Sequence, residues 1–534
     1  MPAGQPARKM PLMSNKEFMI KLKINNREAE VEEGTSVMQA ARRQGIHIPG
    51  LCHDDELLHI TSCMLCLVKD CTGKLIPSCS VKVTPGMMII TDDPEIEEAR
   101  RMALELLLSE HVGDCEAPCQ VGCPAHMNIP LMNRLIASGK WEEALKVVKR
   151  DIALPSILGR ICPAPCEGAC HRKTVDEAVS ICLLKRFTGD ENDLYPWTIP
   201  PLNGKRVAII GAGPAGLSAA YYTRLRGIEP TLFDRQEKPG GELRVSISRE
   251  NLPEDVLERE IGTILNTGVI FRGNTTVTDA FFEELKQSYD ALIVATGNID
   301  DLTKSYGLQG NPKGLEVNRD TFGTAEPGVF AIGNVLRPSR LAVRSVAQGK
   351  EVAFSVEQYL NGELVSGEPR LFNSRFGRLH QTEFAEYLKE SIRGKRIWPS
   401  VPAGGFSRED AVREAQRCMH CDCRAADDCK LRLYADRYKA DQKRFQSSPR
   451  RNVTKHFQTE GIVYEPQKCI KCGICVRLTE KYREKLGLTY IGRGFDIAIG
   501  IPFHESLDAA VKETAILVAE KCPTGALSFR HVSE

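Results

Sequence analysis

The feature that most constrains this chain is its cysteine. Twenty of its 534 residues are Cys, and most fall in runs with short, regular gaps. A dense disulfide framework belongs to small secreted domains that cannot build a core. A chain of this length can bury one, and its 42% hydrophobic and 26% charged residues are ordinary for a globular protein. Thiolates at short spacings are soft metal ligands, suited to iron–sulfur clusters, zinc or Cu(I). Metal ligation is therefore the first expectation. Charge adds an exclusion: 71 basic against 70 acidic residues give +1, with no electrostatic reason to bind nucleic acid. Residues 1–18 carry Arg8 and Lys9 without an apolar stretch behind them, so no secretory signal is expected. The charge-free stretch 207–223 contains a glycine motif of the nucleotide-binding kind and is not read as a membrane span. A soluble, cytoplasmic protein is expected.

The first run is Cys52, Cys63, Cys66 and Cys79, spaced C-x10-C-x2-C-x12-C. It follows an alternating stretch at 20–31 and a helix-like stretch at 36–44. Four thiolates in such loops suit a [2Fe–2S] cluster in a variant of plant-type spacing, with a zinc ribbon as the alternative. The phrases PGLCHDDELL, SCMLCLVKD and PSCSVKVTPGMMIITDD resemble the N-terminal ferredoxin domain of the large iron–sulfur subunit of respiratory complex I and of multimeric hydrogenases. That resemblance implies a β-grasp fold over 18–97. Cys71 falls outside the pattern.

A helical stretch then leads to His111, Cys115, Cys119 and Cys123, followed by Cys162, Cys166, Cys170 and Cys182. The phrases CPAHMNIP, GRICPAPCEGAC and VSICLLKRF resemble the helical iron–sulfur domain of the glutamate synthase small subunit and of dihydropyrimidine dehydrogenase. The resemblance implies a helical domain at 98–200 holding two [4Fe–4S] clusters with interleaved ligands. Seven cysteines are present, one short of eight, and His111 is the candidate for the missing ligand. The expected grouping is His111, Cys115, Cys119 and Cys170 for one cluster, and Cys123, Cys162, Cys166 and Cys182 for the other.

At 205–210 a short apolar run precedes GAGPAG, with Gly211, Gly213, Pro214, Ala215 and Gly216 opening a helix. Glycines there let the backbone turn tightly against a pyrophosphate seated at the helix N-terminus. A second apolar run at 231–233 ends at Asp234, placed to hold ribose hydroxyls. PGGEL (Gly241, Leu243), ALIVATG (Thr296, Gly297) and GVFAIGN (Gly333, Asn334) resemble the two-dinucleotide-fold flavoproteins, which implies FAD. That family ends its last motif in Asp, where this chain has Asn334. Glutamate synthase-like flavoproteins insert an NADPH-binding Rossmann domain between the last two motifs. Only the short connector 298–327 separates Gly297 from Gly328 here, which cannot hold a βαβ nucleotide domain, since one unit alone needs upwards of about 30 residues. The FAD domain is expected at 201–365 without the NADPH insert.

Beyond a polar stretch at 361–404 come Cys418, Cys421, Cys423 and Cys429, read as a further [4Fe–4S] or zinc site in a linker and Cys-rich segment at 366–435. Cys469, Cys472 and Cys475, with Cys522 followed by Pro523, form a bacterial-ferredoxin run whose fourth ligand is displaced. A [4Fe–4S] ferredoxin-like domain is expected at 436–534.

The sum is a multidomain α/β and α+β chain with one [2Fe–2S], three to four [4Fe–4S] clusters and FAD. No substrate-oxidising residue is identified. The string of domains resembles the iron–sulfur/FAD subunits of cytoplasmic electron-bifurcating hydrogenases, formate dehydrogenases or transhydrogenases. That implies partners carrying FMN and NAD(H), hydrogenase or formate dehydrogenase subunits, and ferredoxin. The rival expectation is a self-contained NADPH-dependent oxidoreductase of the glutamate synthase small-subunit type.

Overall fold

The computed structural model describes residues 19–191, 198–298, 300, 304–401, 404–446, 449–459 and 461–530. The stretch read for a secretory signal, 1–18, lies outside them. The chain divides into two compact units. One comprises the residues up to Gly113 together with Arg424–Arg530, and the other is Asp114–Cys423. Among the described residues no helix is long and apolar enough to cross a membrane.

In the first unit, strands Met19–Ile24 and Arg27–Glu32 form a hairpin, and Met88–Ile89 adds in parallel to the first. Alternating burial of Ile20, Leu22 and Ile24 puts one sheet face on the core. Asn25 and Asn26 both have positive φ, as a two-residue hairpin turn of the primed type demands. Helix Val37–Arg43 covers the buried face. Ser36 caps it by accepting from the Gln39 amide, and Gln39 returns the bond to the Ser36 amide. Helix Pro94–Glu110 packs against helix Lys430–Arg437. Arg100 is buried between them, donating to the carbonyls of Leu65, Leu67 and Thr91 and to the Tyr438 hydroxyl. The later part of this unit is a three-stranded antiparallel sheet, His456–Phe457, Ile462–Tyr464 and Leu527–Phe529, with helices Ile474–Lys481 and Ala515–Lys521 packed on each other.

The second unit joins a helical region to a five-stranded parallel sheet. The sheet runs Val329–Ala331, Ala291–Val294, Arg206–Ile210, Glu229–Phe233, Ile270–Arg272 from edge to edge. Its strands are nearly continuous apolar runs, as a sheet buried on both faces requires. Helix Pro214–Arg224 and the long helix Ala342–Leu360 pack closely beside it, and Gly349 is the point of contact: a Cβ there would sit 2.6 Å from that of Ser218. In the helical region, Ile129–Ala137 packs on Trp141–Asp151 and Pro155–Ile161 on Ile181–Glu191.

The stretch 361–404, expected to be a polar linker, is largely exposed but is docked at single points. Ser374 and Glu383 are each 1% exposed, and the Ser374 carbonyl accepts from the Cys115 amide at 3.2 Å.

Candidate cluster and flavin sites

Cys52, Cys63, Cys66 and Cys79 are all buried and none is in a disulfide. Their sulfurs form two pairs, Cys52–Cys63 at 3.5 Å and Cys66–Cys79 at 2.9 Å, a division that suits two irons with two thiolates each. Amides of Leu51 and Ser62 donate to Cys63 and Cys52 at 3.4 and 3.5 Å. The hydrogen bond from Cys63 holds Cys52 down to about 4 against burial, while the same bond and burial push Cys63 up. Cys79 is lowered and Cys66 raised by their own shared bond. Each pair thus shares a proton that bound iron would replace. Cys71 is exposed and apart from the set.

Cys469, Cys472, Cys475 and Cys522 line one cavity, with Tyr464 and Pro523 among its other walls. The first three bracket the start of helix Ile474–Lys481, and Cys522 directly follows helix Ala515–Lys521. Burial pushes Cys469 up to about 11 and, with the neighbouring sulfurs, raises Cys472 and Cys475 further. Four crowded thiols short of water favour cationic iron over the free thiolates.

Arg477, 7% exposed, links the two sites of this unit. Its guanidinium donates to the Cys52 carbonyl at 3.0 Å and to the Cys472 carbonyl at 3.2 Å. His111 is buried beside the second site, with Nδ1 3.0 Å from the Lys468 carbonyl. A carbonyl only accepts, so Nδ1 carries the proton. Burial and Lys468 hold the ring neutral, at about 4, and Nε2 keeps its lone pair. That is the tautomer in which histidine ligates metals.

In the second unit, Cys123, Cys162, Cys166 and Cys182 come together, as grouped from the sequence. Cys162 is raised first by its hydrogen bond with Cys182 and then by burial. Cys182 lies at about 11, lowered by Cys162 but raised by Cys166 and burial. Lys185 lies one helical turn past Cys182, 3% exposed, with Nζ 3.8 Å from the Cys182 sulfur. Burial opposes its charge, but the sulfurs of Cys182, Cys162, Cys166 and Cys123 outweigh burial and raise Lys185 above its ordinary value.

The other expected groupings are assembled only in part. Cys119 and Cys170 share a cavity with Cys418 and Cys421, whereas His111 belongs to the other unit. Cys115 lies beside Cys423, whose amide donates to the Cys115 carbonyl at 3.2 Å, and its sulfur accepts from the Ser374 amide. Cys429 also belongs to the first unit, where its sulfur accepts from the Arg432 amide and caps helix Lys430–Arg437. Within the run, Cys418 and Cys421 thus face Cys119 and Cys170, while Cys423 faces Cys115. Spacing within a run gave no sign of this. Among the described residues no three His, Cys, Asp or Glu side chains converge as tightly as a lone metal ion requires.

The flavin motifs meet at the C-terminal ends of strands Arg206–Ile210, Glu229–Phe233 and Ala291–Val294. A Cβ on Gly216 would fall 1.9 Å from the Gly211 carbonyl oxygen, and one on Gly211 2.3 Å from that of Ala295. Both glycines are therefore fixed by backbone contact. The PGGEL loop lies on the GAGPAG loop, with the Gly240 amide donating to the Ala212 carbonyl at 2.8 Å and a Cβ on Gly241 meeting the Gly213 Cα at 2.9 Å. Pro214 opens helix Pro214–Arg224, and Leu243 is buried. Asp234 accepts from the Ala212 and Gln236 amides at 2.7 and 2.8 Å, which aims its carboxylate. It lines a cavity with Gly211, Thr276, Thr296 and Tyr306. Gly297 follows Thr296 with φ of 89°. Gly333 donates its amide to Gln348, and Asn334 Oδ1 accepts from the Ser339 amide at 3.1 Å, leaving Nδ2 to donate. This cradle fits a flavin dinucleotide.

Strand Val329–Ala331 pairs directly with Leu292–Val294. Between them the described residues include a two-stranded turn, Gly310–Asn311 with Gly314–Leu315, and no second βαβ unit.

Three family models match the chain: a 2Fe-2S iron-sulfur cluster binding domain over 17–94, the dihydropyrimidine dehydrogenase domain II, 4Fe-4S cluster, over 88–195, and pyridine nucleotide-disulphide oxidoreductase over 192–349. Among curated relatives, an NADPH-Fe(3+) oxidoreductase subunit beta of Geobacter sulfurreducens is 39% identical over 207 residues, 38% of this chain and 30% of the relative. The NADP(+)-dependent formate dehydrogenase subunit beta of Moorella thermoacetica is 41% identical over 34% of this chain and 29% of its own. The glutamate synthase [NADPH] small chain of Bacillus subtilis is 37% identical over 34% of this chain and 40% of its own. The matches span less than half the length of each of these relatives. The chain carries 2Fe–2S and 4Fe–4S domains and an FAD-type oxidoreductase domain, and is an electron-transfer protein.

Proposed function

We propose that this chain is the iron–sulfur/FAD relay subunit of a cytoplasmic, NAD-linked, electron-bifurcating complex of the hydrogenase, formate dehydrogenase or transhydrogenase kind. FAD exchanges electrons singly or in pairs, which joins one-electron clusters to two-electron donors. The carrying observation is the short connector between strands Ala291–Val294 and Val329–Ala331, whose described residues hold a two-stranded turn and no second nucleotide domain. Nicotinamide chemistry then falls to a partner, a flavoprotein with FMN and NAD(H), and ferredoxin is a further exchange partner. In this reading Cys52, Cys63, Cys66 and Cys79 hold a [2Fe–2S] cluster, and Cys469, Cys472, Cys475 and Cys522 hold the [4Fe–4S] cluster of a ferredoxin-like C-terminal domain. Cys123, Cys162, Cys166 and Cys182 hold another. Arg477 supports transfer between the first two by fixing the Cys52 and Cys472 backbones to one guanidinium.

The test is anaerobic absorbance of the purified holoprotein. NADH or NADPH alone leaves flavin and clusters oxidised, dithionite bleaches them, and a co-purifying FMN flavoprotein restores bleaching by nicotinamide. Bleaching by NADPH alone refutes the relay reading in favour of a self-contained NADPH oxidoreductase, the reading that two relatives' NADPH-bearing names support.

A further inference from the structure

Cys418 and Cys421 lie beyond the whole flavin domain in sequence, yet the chain carries them back onto the helical region. Helix Arg408–Ala415 packs on helix Ile129–Ala137. Glu414, fully buried, accepts from the Ser180 and Ile397 amides, each at 2.8 Å, and pairs with Arg417 at 2.8 Å. Arg417, 1% exposed, also donates to the Glu177 carbonyl and pairs with Asp176, while Arg172 donates to the Arg417 carbonyl at 2.6 Å. This buried network ends one residue before Cys418. On the other side, Asp422 receives both arms of Arg134 at 2.9 and 2.7 Å, with Asp422 6% exposed. Buried two-armed pairs fix geometry more strictly than surface ones. The Cys418–Cys421 loop is therefore clamped at both ends.

Between the clamps is one cavity, walled by Ile129, Val179 and Ile181 and lined by the thiols of Cys119, Cys170, Cys418 and Cys421. Asn133, 1% exposed, lines the same cavity with its side chain against the Cys418 thiol, and neither its amide oxygen nor its nitrogen has another hydrogen-bond partner. A buried polar group left so is a cost unless something occupies the cavity beside it.

We propose that Cys119, Cys170, Cys418 and Cys421 are the four ligands of one [4Fe–4S] cluster, and that the Arg134–Asp422 pair positions Cys421 as its ligand. The assignment rests on the iron–sulfur reading above and changes its ligand sets. The helical domain borrows two ligands from beyond the flavin domain, and the run Cys418–Cys429 does not form a cluster alone. Bound iron then staples the returning segment to the helical region.

The test uses anaerobically purified full-length protein, with iron and sulfide analysis and low-temperature EPR after stepwise reduction. Cys119→Ser and Cys418→Ser are each expected to lose the same EPR signal and about four iron atoms per chain. The double variant loses no more than either single one, since members of one unit are not additive. Cys429→Ser keeps that signal. Loss of different signals, with the double variant losing twice the iron, overturns the assignment. If the serine variants do not accumulate, Asp422→Asn supplies the second measurement. Unchanged iron with an altered line shape or midpoint for one [4Fe–4S] signal supports the positioning role, and a spectrum identical to that of the parent protein overturns it. Iron-free parent protein would instead refute the iron–sulfur reading itself.

Discussion

Replacing Lys185 with methionine removes a buried positive charge and keeps the length of the side chain. Nζ lies 3.8 Å from the Cys182 sulfur and the residue is 3% exposed. At an effective dielectric of about 20, a unit charge at that distance is worth about 4 kcal/mol. An electron added to a cluster held by Cys123, Cys162, Cys166 and Cys182 spreads over a larger volume, so about half of that acts on reduction. At about 1.4 kcal/mol per tenfold change and about 59 mV per tenfold for one electron, the loss is about 80 mV. The sign follows from charge: the ammonium favours the reduced, more negative state, so Lys185→Met lowers the midpoint potential. EPR-monitored redox titration measures the shift, with iron content confirming that the cluster remains. Burial should make it insensitive to ionic strength. A shift under about 20 mV with full iron, or a rise, would refute a field at an effective dielectric near 20. It would mean that water or a countercharge reaches Lys185.

Two further substitutions test other parts of the structure. Gly216→Ala places a Cβ 1.9 Å from the Gly211 carbonyl oxygen, so flavin per chain should fall by about tenfold while the iron of the Cys469 and Cys52 sets is retained. Full flavin would show that the turn can open. Glu414→Gln leaves Arg417 short of charge at a site where both side chains are at most 1% exposed. Loss of one member of a buried pair costs about 3 kcal/mol, read as a lower denaturant midpoint for flavin release, and an unchanged midpoint would show that Asp176 alone holds Arg417.

What could be read from the sequence followed the range over which each signal acts. That Cys52, Cys63, Cys66 and Cys79 gather, and Cys469, Cys472 and Cys475 gather with Cys522, could be read because each set is built around a Cys-x2-Cys turn. The glycine motifs were legible because Gly211 and Gly216 are fixed by contacts a few residues away. The partners of Cys119 and Cys170 were not, because Glu414, Arg417 and Asp422 decide them by packing on Ser180, Asp176 and Arg134, far off in the chain. Those residues are charged, and in sequence a charged stretch reads as solvated linker. The same blindness hid Lys185 and Arg477, two cations whose environment is sulfur and backbone rather than water. The spacing that did mark Lys185, one helical turn past Cys182, had no meaning until that helix was seen to be buried.

The first unit takes its residues from two stretches of chain, while the second is uninterrupted from Asp114 to Cys423. On the ribosome the second can therefore close first, and helix Pro94–Glu110 must wait for the residues around Tyr438 that bury Arg100. Until then the loops of Cys52 to Cys79 emerge without the Arg477 guanidinium that later holds the Cys52 carbonyl. Maturation thus has a built-in order. The unit with the parallel sheet can close before the split unit is complete, and a nascent chain stalled after Cys423 would hold a formed dinucleotide cradle while Cys52 to Cys79 still lack their later partners.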